Sequence, residues 1–143
     1  MWAAPVPVLL TADRKTLHAP EDLMIVLVVD DDRPTREAYA EFLRDCGFQV
    51  LEAAHGGEAI LHVHRHRPDV VLMDISMPVL DGVETAESLR ARGADLRILG
   101  ITGCDPDPRT ERMSALCDGL LTKPCAPEVV ASRIRSLLLD RAA

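Results

Sequence analysis

Aromatic side chains are scarce in this sequence, at 3% of the residues, so any core must be built from Val, Leu, Ile, Ala and Met. A surplus of positive charge is also missing. The formal net charge of −7 leaves no broad basic face for phosphate backbones, which argues against nucleic-acid binding and equally against an acidic partner. The few cysteines, Cys46, Cys104, Cys117 and Cys125, form no CxxC pair and no metal-finger spacing; they read as free thiols in a reducing compartment. The opening "MWAAPVPVLLTADRK" has no basic n-region, is broken by Pro5 and Pro7, and is too short to span a bilayer. Neither secretion nor membrane insertion is indicated, and the expected location is the cytoplasm. No internal repeat or low-complexity tract is visible.

What is present is a chain of 143 residues, 48% of them hydrophobic, which suits one domain with a single core. Residues 1–23 carry no sustained period, hold three prolines and are expected to form a flexible leader, with the folded domain over 24–143. From Met24 onward, short apolar runs alternate with helical periods. Strands are predicted at Ile25–Val29, Phe48–Ala53, Asp69–Asp74, Leu96–Ile101 and Asp118–Thr122. Helices are predicted from Pro34 to a cap at Gly47, over Gly57–His66 until Pro68, over Val83–Arg92 until Gly93, over a short Arg109–Leu116, and over Pro127–Asp140. In the last of these, Val130, Ile134, Leu137 and Leu138 share one face. Five strand-helix units with nearly continuous apolar strands imply an α/β fold, a five-stranded parallel sheet covered by helices on both sides. In such open sheets, ligands bind beyond the carboxyl ends of the strands.

The residues at those ends are Asp30, Asp31 and Asp32 after the first strand, Asp74 at the third, Thr102 after the fourth and Lys123 after the fifth. Two carboxylates about 4 Å apart repel by roughly 1 kcal/mol in water and about 4 kcal/mol near a protein surface. An acidic cluster is therefore costly unless a cation occupies it, and oxygen ligands in an open site suit Mg²⁺. Beside such an ion, Asp74 can act as a nucleophile toward phosphorus and form an acyl phosphate. Lys123 supplies a second positive charge, and Thr102 offers a hydroxyl to a phosphoryl oxygen.

Four motifs in order, "VLVVDDD", "VVLMDISMPVLDG", "ILGITG" and "LLTKP", resemble the receiver domain of bacterial two-component response regulators, over about Met24 to Leu139. The resemblance implies a doubly wound, flavodoxin-like (βα)5 three-layer sandwich of the CheY-like superfamily. It implies that Asp74 accepts phosphate from a histidine kinase, a phosphotransfer protein or a small phosphodonor. Asp31 would bind Mg²⁺ directly, Asp30 would assist partly through water, and the Ser76 backbone carbonyl would complete the protein ligands with Asp74. Lys123 would pair with the phosphoryl group and Thr102 would swing toward it. Met77-Pro78 and Asp81-Gly82 match the family's turn after the phosphoacceptor, and Lys123-Pro124 its lysine-proline step, commonly a cis bond. Asp32 has no fixed family role and is expected to begin the first helix, where negative charge is favoured.

Several positions depart from the family pattern. Leu120 stands where receivers often carry a Tyr or Phe that rotates inward with the threonine, so aromatic switching cannot operate in its usual form. Gly103 replaces the commoner Ala, Cys125 stands where Phe often follows, and "GCDPDPRT" shortens the fourth helix. The histidines of "HVHRHRP" (His62, His64, His66) lack a carboxylate or cysteine partner and read as a solvent-facing helix end. The expected function is a phosphorylation switch that signals by protein contact to an effector, with a second copy of the chain admitted as a partner. No output domain is expected inside the 143 residues, and no enzyme activity beyond assisting its own phosphorylation and dephosphorylation. The alternative is a receiver-like scaffold that binds a partner without phosphorylation. A flavin carrier fits poorly because three acids would repel the flavin phosphate. An aspartate-based phosphatase would want an acid where Ser76 stands.

Overall fold

Strands buried on both faces need a nearly continuous apolar run, and the three central strands of the computed structural model have one, with Asp74, Arg97 and Thr102 only at strand ends. The structure describes residues 24–75, 77, 82–92, 95–103 and 108–142, the last two by backbone alone. The expected leader, residues 1–23, lies outside them. The elements follow in strict alternation: β1 (Ile25–Val29), α1 (Arg33–Asp45), β2 (Gln49–Ala53), α2 (Gly56–His66), β3 (Val70–Asp74), α3 (Gly82–Ala91), β4 (Arg97–Thr102), α4 (Arg109–Leu116), β5 (Gly119–Thr122) and α5 (Pro127–Ala142). All strand pairs are parallel, in the order β2-β1-β3-β4-β5.

The two faces of the sheet bury different layers. Leu27, Val29, Val71, Met73 and Ile98 point toward α2, α3 and α4, where Ala59, Val63, Val83, Ala86, Leu89 and Met113 meet them. Val26, Val28, Leu72, Leu99 and Ile101 face α1 and α5, against Tyr39, Leu43, Val130, Ile134, Leu137 and Leu138. The alternation along each strand thus sorts neighbouring residues into opposite layers. The apolar face predicted for the last helix is buried throughout.

Small boundary differences have identifiable causes. The predicted second strand starts at Phe48, but Phe48 donates its N–H to the Leu43 carbonyl at 3.2 Å while Gly47, at φ 104°, donates to Arg44 at 2.9 Å. This is the paired hydrogen-bond closure of a helix C-terminus, so β2 begins one residue later. At the amino edge of the sheet, Asp69 is buried and outside β3: its carboxylate accepts the Ile25 N–H at 2.9 Å, its own N–H reaches the Ile25 carbonyl, and its carbonyl accepts from Arg97. Asp118, just before β5, accepts the Ile98 N–H at 2.8 Å and pairs with Arg90 and Arg97. These two acids fasten strand starts, a role that their positions in the sequence did not announce. Among the described residues no helix is long and apolar enough to cross a membrane.

Replacing Asp69 by Ala leaves the buried Ile25 N–H without its acceptor. Asp69→Ala is expected to destabilise the fold by about 2 kcal/mol, with Asp69→Asn costing less, as read by urea denaturation.

Candidate functional site

The parallel sheet aligns its carboxyl ends at one edge, and the loops there collect the polar side chains. Asp30 follows β1 with only 4% of its surface exposed. Three backbone contacts hold it: its N–H donates to the Ala53 carbonyl, its Oδ1 accepts the Asp32 N–H at 2.9 Å, and its carbonyl accepts from Arg36 at 2.9 Å. Arg36 is itself paired with Glu52 at 3.2 Å. Asp31 is exposed beside it. Asp32 caps α1, accepting the Thr35 N–H at 3.1 Å and the Thr35 hydroxyl.

Asp74 ends β3 and is buried, with 6% of its surface exposed. Single carboxylate oxygens of Asp30, Asp31 and Asp74 all lie within 4.8 Å of one another, the one such group of potential metal-ligating side chains among the described residues. Lys123 reaches into this cluster from the end of β5, its Nζ 3.5 Å from Asp74 Oδ2 and 3.7 Å from Asp30 Oδ2. The Lys123 N–H donates to the Thr102 carbonyl at 2.7 Å, and the Lys123-Pro124 bond is cis. Nearby, the Tyr39 hydroxyl donates to the Cys125 carbonyl at 2.8 Å.

Charge and burial act together here. Burial pushes the Asp30 carboxyl above its ordinary value; the Asp32 N–H opposes this, the Asp74 carboxylate adds to it, Lys123 opposes and Asp31 adds. Burial alone would lower the Lys123 ammonium, but the Asp74 and Asp30 carboxylates outweigh it and the net direction is up. The lysine is therefore a permanent cation. It is one charge against three.

Thr102 ends β4 at the same edge and is buried, yet its hydroxyl meets Thr110 Oγ1 of α4 at 3.3 Å and the Gly103 carbonyl at 3.4 Å. Arg109, preceding Thr110, donates to the Ile75 carbonyl at 3.4 Å. Gly82 opens α3 against the backbone of Asp74 and Ile75: an added Cβ would stand 2.4 Å from the Asp74 carbonyl oxygen. Ser76, Pro78, Asp81 and Cys104, each named from sequence, lie outside the described residues.

Residues 26–135 match the response regulator receiver domain family. The chain belongs to that family. Among curated proteins it is similar to response regulator MprA of Mycobacterium leprae (strain TN), 43% identical over 116 residues, which is 80% of this chain and 51% of that protein. The chain spans about half the length of the curated relatives it matches. Among solved structures it is similar to the Vibrio cholerae chemotaxis protein CheY4, at 30% identity and TM-score 0.72, covering 79% of this chain and 97% of that one. It is also similar to the receiver domain of the Francisella response regulator 1452, at 26% identity and TM-score 0.75, covering 84% and 99%.

For this receiver, the sequence singled out the acids and the lysine that the fold brings together. It did not single out Arg36, Arg109 or Thr110. Arg36 lies one helical turn after Asp32, a spacing that could have flagged it, whereas Arg109 and Thr110 reach the edge only through the docking of α4. The histidines fall as expected at the end of α2, with His64 and His66 exposed and the His62 and His66 rings 5.6 Å apart. Burial pushes the Cys117 and Cys125 thiols up, which works against thiolate reactivity.

Metal-free Asp30→Asn is expected to melt higher than metal-free wild type. A carboxyl whose folded pKa is raised favours the fold below its unfolded value of 3.8, and that contribution is lost as pH rises through the folded value. The gap in Tm should therefore widen with rising pH across that window, in calorimetry with a chelator present.

Proposed function

We propose that this receiver alternates between free and phosphorylated Asp74 and passes the difference to partner proteins. The observation that carries the reading is the convergence, at one sheet edge, of a buried carboxylate, two further acids and a lysine. Asp74 attacks phosphorus with a carboxylate oxygen, forming the acyl-phosphate O–P bond while the donor's P–N or P–O bond breaks and the leaving group takes up a proton. Lys123 lies beside Asp74 Oδ2 and offsets charge on the phosphoryl oxygens. Thr102 donates its hydroxyl to one of those oxygens. Water later cleaves the acyl phosphate, returning the Asp74 carboxylate and inorganic phosphate.

The acidic cluster fits a hard dication: three carboxylates from two strands within 4.8 Å, one of them exposed, leave a site open to water and phosphate oxygens. Asp30, Asp31 and Asp74 would hold Mg²⁺, with the Ser76 carbonyl as a further ligand, and the ion would neutralise charge on the transferring oxygens. The domain boundary in this reading is residue 24, where short apolar runs and helical periods begin to alternate in the sequence.

A histidine kinase or phosphotransfer protein as donor, and a protein effector as receiver of the signal, follow from family membership together with the negative net charge. Only a difference in partner affinity between the two states transmits information. Location in the cytoplasm belongs to the same reading.

Incubation with a small phosphodonor and Mg²⁺ is expected to add the mass of one phosphoryl group, absent in Asp74→Asn and formed about a hundredfold more slowly in Lys123→Ala. No mass gain with any donor would favour the non-phosphorylated scaffold. Mg²⁺ at ten times its Kd is expected to stabilise wild type by about 1.4 kcal/mol and to lose that effect in Asp30→Asn, by thermal melts with and without the ion.

A further inference from the structure

The α4 helix is tied to the site at its first turn. Pro108 precedes it and makes no side-chain capping hydrogen bond, so the helix start is held by other contacts. Two of them run to the phosphoacceptor edge: Thr110 Oγ1 to the Thr102 hydroxyl at 3.3 Å, and Arg109 Nη1 to the Ile75 carbonyl at 3.4 Å. Further along, Met113 is fully buried against Gly100 of β4, where an added Cβ would lie 3.1 Å from Met113 Cε and 2.9 Å from Leu120 Cδ1. Leu120 is therefore lodged in the space that Gly100 leaves, and it brings no hydroxyl. Among the described residues, a side-chain hydrogen bond between β4 and α4 runs between the two threonines.

A threonine oxygen occupies one staggered position at a time and carries a single proton. In the rotamer seen here Thr102 Oγ1 meets Thr110 Oγ1, with either oxygen as donor, and lies 3.4 Å from the Gly103 carbonyl, so the rotamer that engages Thr110 keeps the hydroxyl at α4. Resting on the reading that Thr102 serves the phosphoryl group, we propose that Thr110 is a positioning residue which holds Thr102 in the unphosphorylated chain and releases it when Asp74 is phosphorylated. Exchange of partners by Thr102 then frees the first turn of α4, so occupancy of the site reaches the helix without an aromatic rotor. Thr110 competes with the phosphoryl group for one hydroxyl.

The test compares wild type with Thr110→Val, which keeps the shape and removes the hydroxyl, and Thr110→Ser, which keeps the hydroxyl. Each is titrated with beryllofluoride and Mg²⁺, followed by amide and threonine-methyl NMR, with Mg²⁺ alone titrated in parallel. Loss of one neutral hydrogen bond to the competing state predicts beryllofluoride binding about threefold to fivefold tighter in Thr110→Val. Thr110→Ser should stay within about twofold of wild type, with affinity for Mg²⁺ alone unchanged in both. In wild type, the Thr102 and Thr110 methyl resonances should both shift on adding beryllofluoride. Equal or weaker beryllofluoride binding by Thr110→Val, a matching change in Mg²⁺ affinity, or an unmoved Thr110 methyl overturns the proposal, and the wild-type methyl reading stands even if the valine variant fails to fold. Wild type that binds beryllofluoride while Thr110→Val behaves identically sinks only the threonine link. Wild type that takes neither beryllofluoride nor phosphate sinks the phosphorylation reading with it.

Discussion

Three carboxylates held within 4.8 Å of one another, faced by a single lysine, impose the constraint around which the rest of this edge is arranged. At such separations the repulsion amounts to a few kcal/mol at the effective dielectric of a protein surface. Lys123 offsets part of it, and the remainder is what a dication would offset under the proposed reading. The backbone contributes rigidity: Asp30 is gripped through its N–H, its carbonyl and its carboxylate, so it cannot turn away to relieve the crowding. Asp31 has solvent available, and Asp32 is drawn off into capping α1. Three adjacent acids thus take up three different tasks.

The helices on the α2, α3 and α4 side are fitted closely to this edge. Gly82 allows α3 to start against the Asp74 carbonyl, a distance at which any side chain would collide. Gly100 allows Leu120 and Met113 to fill the layer beneath α4, and Gly103 by contrast faces open space. The result is a carboxylate whose backbone is clamped while the hydroxyl beside it, that of Thr102, is held by a helix start rather than by the sheet.

At the opposite edge, buried Asp69 and the more exposed Asp118 do structural work. Asp69 and Asp118 each accept a strand N–H, joining β1 to the start of β3 and β4 to the start of β5. Asp118 is balanced by Arg90 and Arg97, and Arg90 also donates to the Leu116 and Leu96 carbonyls. Acids occur at both ends of the strands, but hydrogen bonding satisfies them at one end and crowding defines them at the other.

How much of this was legible beforehand follows from which interactions are local. The five apolar runs, the glycine and proline stops and the Asp32 cap depend on near neighbours along the chain, so strands and helices could be placed to within a residue or two. Asp30, Asp31, Asp74 and Lys123 could be grouped because a parallel alternating fold carries every strand's carboxyl end to one edge. Which hydroxyl Thr102 would engage, that Arg109 would reach Ile75, and that Asp69 would stitch strand starts depend on how helices and strands dock across long sequence separations. The sequence by itself determined the layered α/β architecture and the charge gathered at its edge, because periodicity and strand-end position are short-range properties. Only the tertiary structure decided the hydrogen-bond partners of Thr102, since helix packing sets a distance that no spacing along the chain encodes.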